Sequence, residues 1–447
     1  VDQTPPNAPT FLSIIGGTDS TADEFLADLG SDPDIIWVDN ASDESEYIVT
    51  VFDKPGGAQL CEFDSLAPDT VSQTLDGPCG LIDSRSYFAR VTVKDAADNI
   101  DFTTMNFHMG APWAIPKTAL KNWYDVSDSN LRISGGAGPS SLIDKSFSYI
   151  NANQGTAANQ AVLSTGVLNG LDAILFDGVD DHLVAGTNSD LDTDEMTTFI
   201  VARDTMNGGS PEGYAFSFEY SSSISAGAFP GAEKMFGLSF NDGINAASAH
   251  GRDSIGSLVR NGFGSAANLN PGVPVVYSLR WDEGSDTIQL FKNGALHSTT
   301  SNASIDPLGH ESIGLGAVIS NGSASDFFQG YIGEFINYNV ALTTPEMDQI
   351  EAYLMTKWLP PVYITWNSAG TFKHGDITLS GGNLVSTGTS PAGSLSSMRA
   401  ATAHAKSSGK FYFEVTYNST VDSALNSRIG VCRTTCSINQ LIGSDTN

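Results

Sequence analysis

With 447 residues the chain exceeds a single compact core, and its 51 acidic against 21 basic side chains leave a formal charge of −30. That balance excludes the cationic footprint of nucleic-acid and anionic-membrane binders, and no apolar run reaches the ~18 residues of a membrane span. Only 16% of residues are charged while 40% are hydrophobic, which excludes the composition of a disordered chain.

The charge is uneven. Residues 1–110 hold 20 acids against 4 bases, residues 111–360 hold 27 against 11, and residues 361–447 hold 4 against 6. These steps coincide with linker signals and predict three modules with those boundaries. The chain opens on Thr4-Pro5-Pro6-Asn7-Ala8-Pro9, where each proline fixes its own φ and extends its predecessor. This reads as a linker from sequence upstream of Val1.

Short apolar runs follow at residues 35–37, 47–52, 87–93 and 102–107, separated by Asp, Ser, Gly and Pro clusters. That rhythm predicts an antiparallel sandwich. With the Pro-Pro linker, Trp37, and the turn Asp95-Ala96-Ala97-Asp98-Asn99, in which Asp98 stands for the usual Gly, the segment resembles a bacterial fibronectin type III or immunoglobulin-like repeat. The resemblance implies a spacer or stalk. Cys61 and Cys79 flank a loop-like stretch with no further Cys or His nearby, which favours a disulfide and an oxidising compartment over two buried thiols. Cys432 and Cys436 form a second pairable set. The acids Asp19, Asp23, Glu24, Asp28, Asp32, Asp34, Asp39, Asp43, Glu44 and Glu46 do not match a calcium-loop spacing and read as a solvated face.

In residues 111–360 the clearest hairpin signal runs from 275–281 through an Asp-rich turn into 287–291, and Asn293-Gly294 then turns the chain into a strand over 295–300. Both turn residues tolerate positive φ, as a type I′ turn requires. A helix is predicted over 344–358, with Thr344 as N-cap, Pro345 at N1, acids in the first turn and Lys357 in the last. Met347, Ile350, Leu354 and Trp358 give it one apolar face.

Residues 119–358 resemble the laminin-G-like, concanavalin A-like jelly roll of bacterial and phage surface proteins. The matching residues are Trp123-Tyr124-Asp125-Val126-Ser127-Asp128, the stretch from Leu168 to Leu183, Phe291-Lys292-Asn293-Gly294, and Phe328 to Asn339 with the helix behind it. The resemblance implies two antiparallel sheets of about six or seven strands each and binding of glycans or surface proteins. It also implies a possible calcium ion at the rim, for which Asp180 and Asp181, adjacent acids after a Gly turn, are the candidate ligands; turn chemistry is the competing account. His182 reads as a half-buried strand residue.

Sandwiches of this kind also host glycoside hydrolases, which need two carboxylates flanking the bond. Alternating acids in the form E-x-D-x-E are absent, and the acid groups Asp192-Thr193-Asp194-Glu195 and Glu346, Asp348, Glu351 fall in a turn and on the helix. There is no G-x-S-x-G elbow, no H-E-x-x-H helix and no P-loop, and His310-Glu311 lacks a second His. The expectation is a non-enzyme.

Residues 377–380, 409–417 and 428–432, with Gly409-Lys410-Phe411-Tyr412-Phe413-Glu414-Val415 and Arg428-Ile429-Gly430-Val431, are similar to the first half of a SPRY-type sandwich. An unfinished sandwich would expose strand edges, which predicts either further strands beyond Asn447, the favoured account, or strands supplied by another subunit.

The fold class expected is therefore all-β: tandem antiparallel sandwiches with one short helix. The function expected is extracellular or cell-surface adhesion or recognition, with a glycan or surface-protein ligand, no nucleic acid and no membrane insertion. Two alternatives stand beside it: self-assembly into a fibre or trimer as a structural component, and an accessory binding region of a polysaccharide-active enzyme. Aromatic residues on rim loops would stack on sugars, and for Tyr220 and Phe229 the sequence leaves loop and core positions open, while Asn40, Asn302, Asn321 and Asn418 head Asn-x-Ser/Thr sequons.

Overall fold

A computed structural model describes residues 3–15, 23–26, 33–42, 44–75, 79–110, 113–186, 191, 193, 195–205, 213–220, 236–241, 246–252, 258–262, 272–301, 310–320, 322–360, 377–380 and 385–388. The chain forms two compact units, Val1–Leu359 and Pro360–Asn447. In the second, Ile377–Ser380 pairs antiparallel with Val385–Gly388. The SPRY-like strands at 409–417 and 428–432, Cys432 and Cys436 lie outside the described residues.

The first unit is built of sheets that are antiparallel but for one edge strand, and its one α-helix among the described residues is the one expected. The 35–109 region packs its own core. Glu44–Phe52, Gln59–Leu66, Ser86–Asp95, Ile100–Met109 and Asp23–Leu26 make a five-stranded sheet; Thr10–Ile15, Asp34–Val38 and Ser72–Thr74 make a three-stranded one. Asp23–Leu26 runs parallel to Ile100–Met109, so it extends the sheet without a hairpin. Alternate residues Tyr47, Val49 and Val51 face Ala89, Val91 and Val93 in the interior with Trp37 and Phe107, the two-residue period of a half-buried strand. A Cys61–Cys79 disulfide closes the end of this core, with both sulfurs buried. The Asp95 turn forms as the sequence predicts: its carboxylate accepts from the Ala97, Asn99 and Asn99 side-chain N–H groups, and Asp98 adopts φ +65° in the glycine position.

Residues from 115 onward form a second sandwich. One sheet has nine strands in the order Arg132–Ser134, Pro139–Leu142, Ala152–Asn153, Leu183–Ala185, His310–Leu315, Gly213–Tyr220, Phe236–Asn241, Ala246–Arg252, Leu258–Gly262. The other has eight: Val162–Leu168, Leu171–Asp177, Gln329–Tyr338, Glu195–Asp204, Val275–Asp282, Thr287–Lys292 and Ala295–Ser301, with Leu120–Asp125 also on Gln329–Tyr338. Both exceed the six or seven strands that the jelly-roll resemblance implies; in the nine-stranded sheet the excess comes from two- to four-residue segments such as Ala152–Asn153. The Asn293-Gly294 turn has φ +49° and +75° at its two residues, as a type I′ turn demands.

The central strands of the eight-stranded sheet are buried on both faces. Met196, Ile200, Tyr277, Leu279 and Trp281 point into the gap between the sheets. Phe199, Val201, Val276 and Ile336 point the other way, under the helix α1, Thr344–Trp358. Met347, Ile350, Leu354 and Trp358 are its buried face. The helix begins one residue earlier than the Thr344 cap expected from sequence: Thr343 is the N-cap, Pro345 falls at N2, and Thr343 donates from N and Oγ1 to Glu346 at 2.9 and 2.7 Å. A Thr-Thr pair offers two caps, and the reach of Glu346 at N3 selects the first. Gly333 admits the helix, since a Cβ there would meet the Trp358 ring at 2.6 Å.

Candidate functional site

Asp180 and Asp181 follow the turn at the end of Leu171–Asp177, where Gly178 takes φ +80°. The structure adds Asp177 to them: one carboxylate oxygen from each of the three lies within 4.8 Å of the others. Much of this is turn chemistry. Asp177 accepts from the Val179 N–H at 2.8 Å, and Asp181 accepts from the Asp177 N–H at 3.0 Å. Burial, then the Asp177 and Asp180 charges, push the Asp181 carboxyl up to about 6. His182 is half-buried but precedes the strand Leu183–Ala185 instead of lying in it. Its Nδ1 faces the Asp180 carbonyl at 2.8 Å and its Nε2 faces Gln154 at 3.0 Å, so both ring nitrogens are engaged in the turn.

Of the acids at 19–46, Asp39 and Glu44 form a similar group with Asp69, and Asp39 accepts from the Tyr47 hydroxyl at 2.5 Å. Glu46 pairs with Lys94 at 3.0 Å. Asp19, Asp28, Asp32, Asp43, Asp192, Asp194, Phe229, Asn302, Asn321 and Asn418 lie outside the described residues. Asn40 spends its amide on the Ala8 carbonyl at 3.1 Å.

A second site has no counterpart in the sequence reading. Where the two sandwiches meet, a cleft of about 510 Å³ is lined by Lys54, Trp113, Lys117, Lys121, Phe147 and Tyr149, among others, and no lining residue is an acid, histidine or cysteine. Lys54 comes from the turn after Glu44–Phe52 in the first sandwich. Lys117 and Lys121 flank a tight turn in which the Leu120 N–H donates to the Lys117 carbonyl and Ala119 adopts φ +63°. The four-residue separation is thereby folded onto one wall.

The opposite wall is the loop 144–150, and a buried carboxylate organises it. Asp144 accepts from the Trp123, Ser146 and Ile150 N–H groups at 2.9 to 3.0 Å and from Ser146 Oγ at 2.8 Å. Burial pushes its carboxyl up to about 6 while these donors pull it back. The loop carries Phe147, whose ring lies 5.0 Å from Trp113, and Tyr149, which adopts φ +57°. A bulky residue in the left-handed region is a strained conformation that surrounding structure must hold. Here the hold is the first sandwich: the Tyr149 hydroxyl lies 2.7 Å from the Tyr87 carbonyl and 2.9 Å from Asn106 Oδ1. Arg85 Nε donates to the Asn130 carbonyl and Ser86 Oγ to the Lys145 carbonyl, each at 2.8 Å, completing the seam. Behind it His108 is buried, and burial, then Lys145, lower its imidazole to about 3, so the ring is neutral.

Beneath the helix lies a third polar group. Glu334 is fully buried mid-strand and accepts from Trp123 Nε1 at 2.6 Å, Trp358 Nε1 at 2.5 Å, the Tyr353 hydroxyl at 2.9 Å and Lys357 Nζ at 2.7 Å. Lys357 also reaches Asp125 at 2.6 Å. Burial and the Asp125 charge raise Glu334; against burial, Lys357 and Lys145 hold Asp125 below its ordinary value. An acid set among Ile332, Phe335 and Ile336 in the strand Gln329–Tyr338 is the sequence signal that could have pointed to this network. Every one of its oxygens faces a donor of the fold, so it ties α1 to the sheet.

Among the described residues no helix is long and apolar enough to cross a membrane. No protein-family model matches the chain, and no curated protein matches it. Among solved structures it is similar to NanB with Optactamide (16% identity, TM-score 0.31, covering 42% of this chain and 30% of that one). It is similar also to the botulinum neurotoxin serotype D binding domain (11%, TM-score 0.38, 59% of each chain) and to the Ruminococcus gnavus IT-sialidase CBM40 bound to alpha2,3 sialyllactose (16%, TM-score 0.30, 40% and 96%). The chain thus spans less than two thirds of the first two. Likenesses this distant bear on neither ligand nor activity.

Proposed function

We propose that this chain is a non-catalytic recognition protein of the cell exterior, in which an immunoglobulin-like module (1–110) and a laminin-G-like jelly roll (111–360) bind a glycan or surface protein, followed in sequence by a SPRY-like module (361–447). The observation that carries the reading is the cleft between the two sandwiches: aromatic faces and cations line it, and it lacks the carboxylate pair that glycoside hydrolysis requires. The Cys61–Cys79 disulfide supports an oxidising location. A broad panel of glycans and surface proteins tests the proposal, with turnover of bound glycans measured in parallel; binding without turnover is expected, and no ligand on any panel overturns it.

The reading extends to a calcium ion held by Asp180 and Asp181 with Asp177. Three carboxylates have the hard oxygen chemistry this ion takes, and Asp181 carries uncompensated charge. Melting in calcium and in EDTA tests it: a higher melting temperature in calcium, lost in Asp180→Asn, is expected, and identical curves overturn it.

A further inference from the structure

Under α1 an amine and two carboxylates stand within hydrogen-bonding distance of one another, enclosed by Trp123, Tyr353 and Trp358. We propose that Lys357 and Asp125 condense there into an intramolecular isopeptide bond, an amide that joins the last turn of α1 to the strand Leu120–Asp125, with Glu334 relaying the protons.

Approach is the first argument. Lys357 Nζ lies 2.6 Å from Asp125 Oδ2 and 2.7 Å from Glu334 Oε2. The Asp125 Cγ is at most one C–O bond further from Nζ, near the roughly 3–3.5 Å at which a held pair is poised to react. Each group is held: Nζ packs over the Trp358 and Tyr353 rings, 5.0 and 5.5 Å from their centres, and the two acids face each other directly in the pairing of their strands. The second argument is the division between the two oxygens of Asp125. Oδ1 accepts from the Ser127 N–H at 3.1 Å and from Ser127 Oγ at 2.6 Å, donors that stabilise the oxyanion of a tetrahedral intermediate. Oδ2 accepts from Lys357 alone among the described residues, so it is the oxygen able to leave. The third is Glu334. Its Oε1 is taken by Trp123 and Tyr353, while Oε2 faces the amine. Burial and the Asp125 charge raise its carboxyl, which makes it a better proton acceptor than an ordinary glutamate.

The pair starts ionised, since against burial the two carboxylates raise Lys357 and Lys357 holds Asp125 down. Glu334 takes one proton from the ammonium and passes it to Oδ2. The freed amine attacks Cγ and a C–N bond forms. Glu334 carries a second proton from nitrogen to Oδ2, the C–Oδ2 bond breaks, and water leaves. Glu334 ends as it began, and one positive and one negative charge have gone. In the product the amide oxygen is Oδ1, still held by Ser127, and the amide N–H faces Glu334, so a buried ion pair is exchanged for a neutral, hydrogen-bonded group. The two residues are 232 apart in sequence, so the bond closes a loop that takes in nearly all of both jelly-roll sheets.

Intact mass of the whole chain, reduced so that the Cys61–Cys79 bridge does not contribute, tests the proposal. The chain is expected to be lighter than its sequence by one water, and its digest to contain a branched peptide in which Lys357 is joined to Asp125. Asp125→Ala is expected to restore the full sequence mass and to run more slowly than the looped chain on a denaturing gel. Glu334→Gln is expected to lower the linked fraction at least tenfold. A full sequence mass for the unmutated chain overturns the proposal, as does a water loss mapped to any other pair, Lys357 with Glu334 included, or one that persists in Asp125→Ala. Complete linkage in Glu334→Gln overturns the relay. The deciding measurement is made on the unmutated chain, so it holds whatever a variant does to folding.

Discussion

The acid groups beneath α1 and at the 177–181 turn contain the same chemistry in opposite states of compensation. Asp125 and Glu334 share Lys357, two indole N–H groups and a phenol, and they are more deeply buried than the turn acids as a set. Asp177, Asp180 and Asp181 share only backbone N–H groups and one another. The first arrangement is complete, and adding or removing a charge breaks it. In the second, charge is left over, and a proton or a cation improves it. Burial alone therefore does not mark a binding site; the balance between donors and like charges does.

The most damaging change lies in the compensated group. Lys357→Met strands two carboxylates without their cation and is expected to cost about 3–5 kcal/mol, read as a lowered denaturant midpoint with α1 losing amide protection. Unchanged stability would erase the contrast drawn above.

Acid is the next probe. Since the His108 imidazole is lowered to about 3 from 6.5, its neutral form contributes stability that is complete above pH 6.5 and lost progressively as pH falls toward about 3. Melting temperature against pH should show that loss, and His108→Gln should flatten it between pH 6.5 and 4.

Asp144 is intermediate, rich in donors but without a paired cation. Asp144→Ala leaves buried N–H groups unpaired and is expected to cost about 1–3 kcal/mol and to release the 144–150 loop, seen as faster proteolysis there and weaker ligand binding at the cleft.

Smallest of all is Asp181→Asn. The folded carboxyl sits at about 6 against 3.8 in the unfolded chain, so its stabilising proton is held below pH 4 and given up as pH rises through 6. Above that pH the group opposes folding, and the Asn variant is expected to gain ~1 kcal/mol at pH 7 after allowing for solvent screening, with no gain at pH 4. A loss at pH 7 would mean that its charge is wanted there.

Local chemistry was legible in the sequence where neighbours along the chain decide the structure. The Asn293-Gly294 hairpin, the Asp95 turn with Asp98 in the glycine position and the apolar stripe of α1 all appear where residue order places them. Asp180 and Asp181 were legible as turn acids, but Asp177 was not, because it reads as the last residue of a strand until Gly178 folds the chain back. The cap fell on Thr343 because a side-chain reach, not composition, chose between two threonines. The cleft was illegible for a different reason: Lys54 and Tyr149 are brought together by the packing of one sandwich on another, which no local pattern encodes. Glu334 lay between, a visible anomaly in its strand whose partners Lys357 and Trp358 arrive only with the helix.

The seam itself has a mechanical meaning. A module tethered by one strand of chain swivels, and its ligand must be met at any angle. Here Arg85, Ser86 and Tyr149 add cross-links beside the covalent connection, so the first sandwich acts as a bracket and the second turns with it. The cleft built across that bracket keeps its two walls at one fixed tilt, so it is assembled before anything enters it.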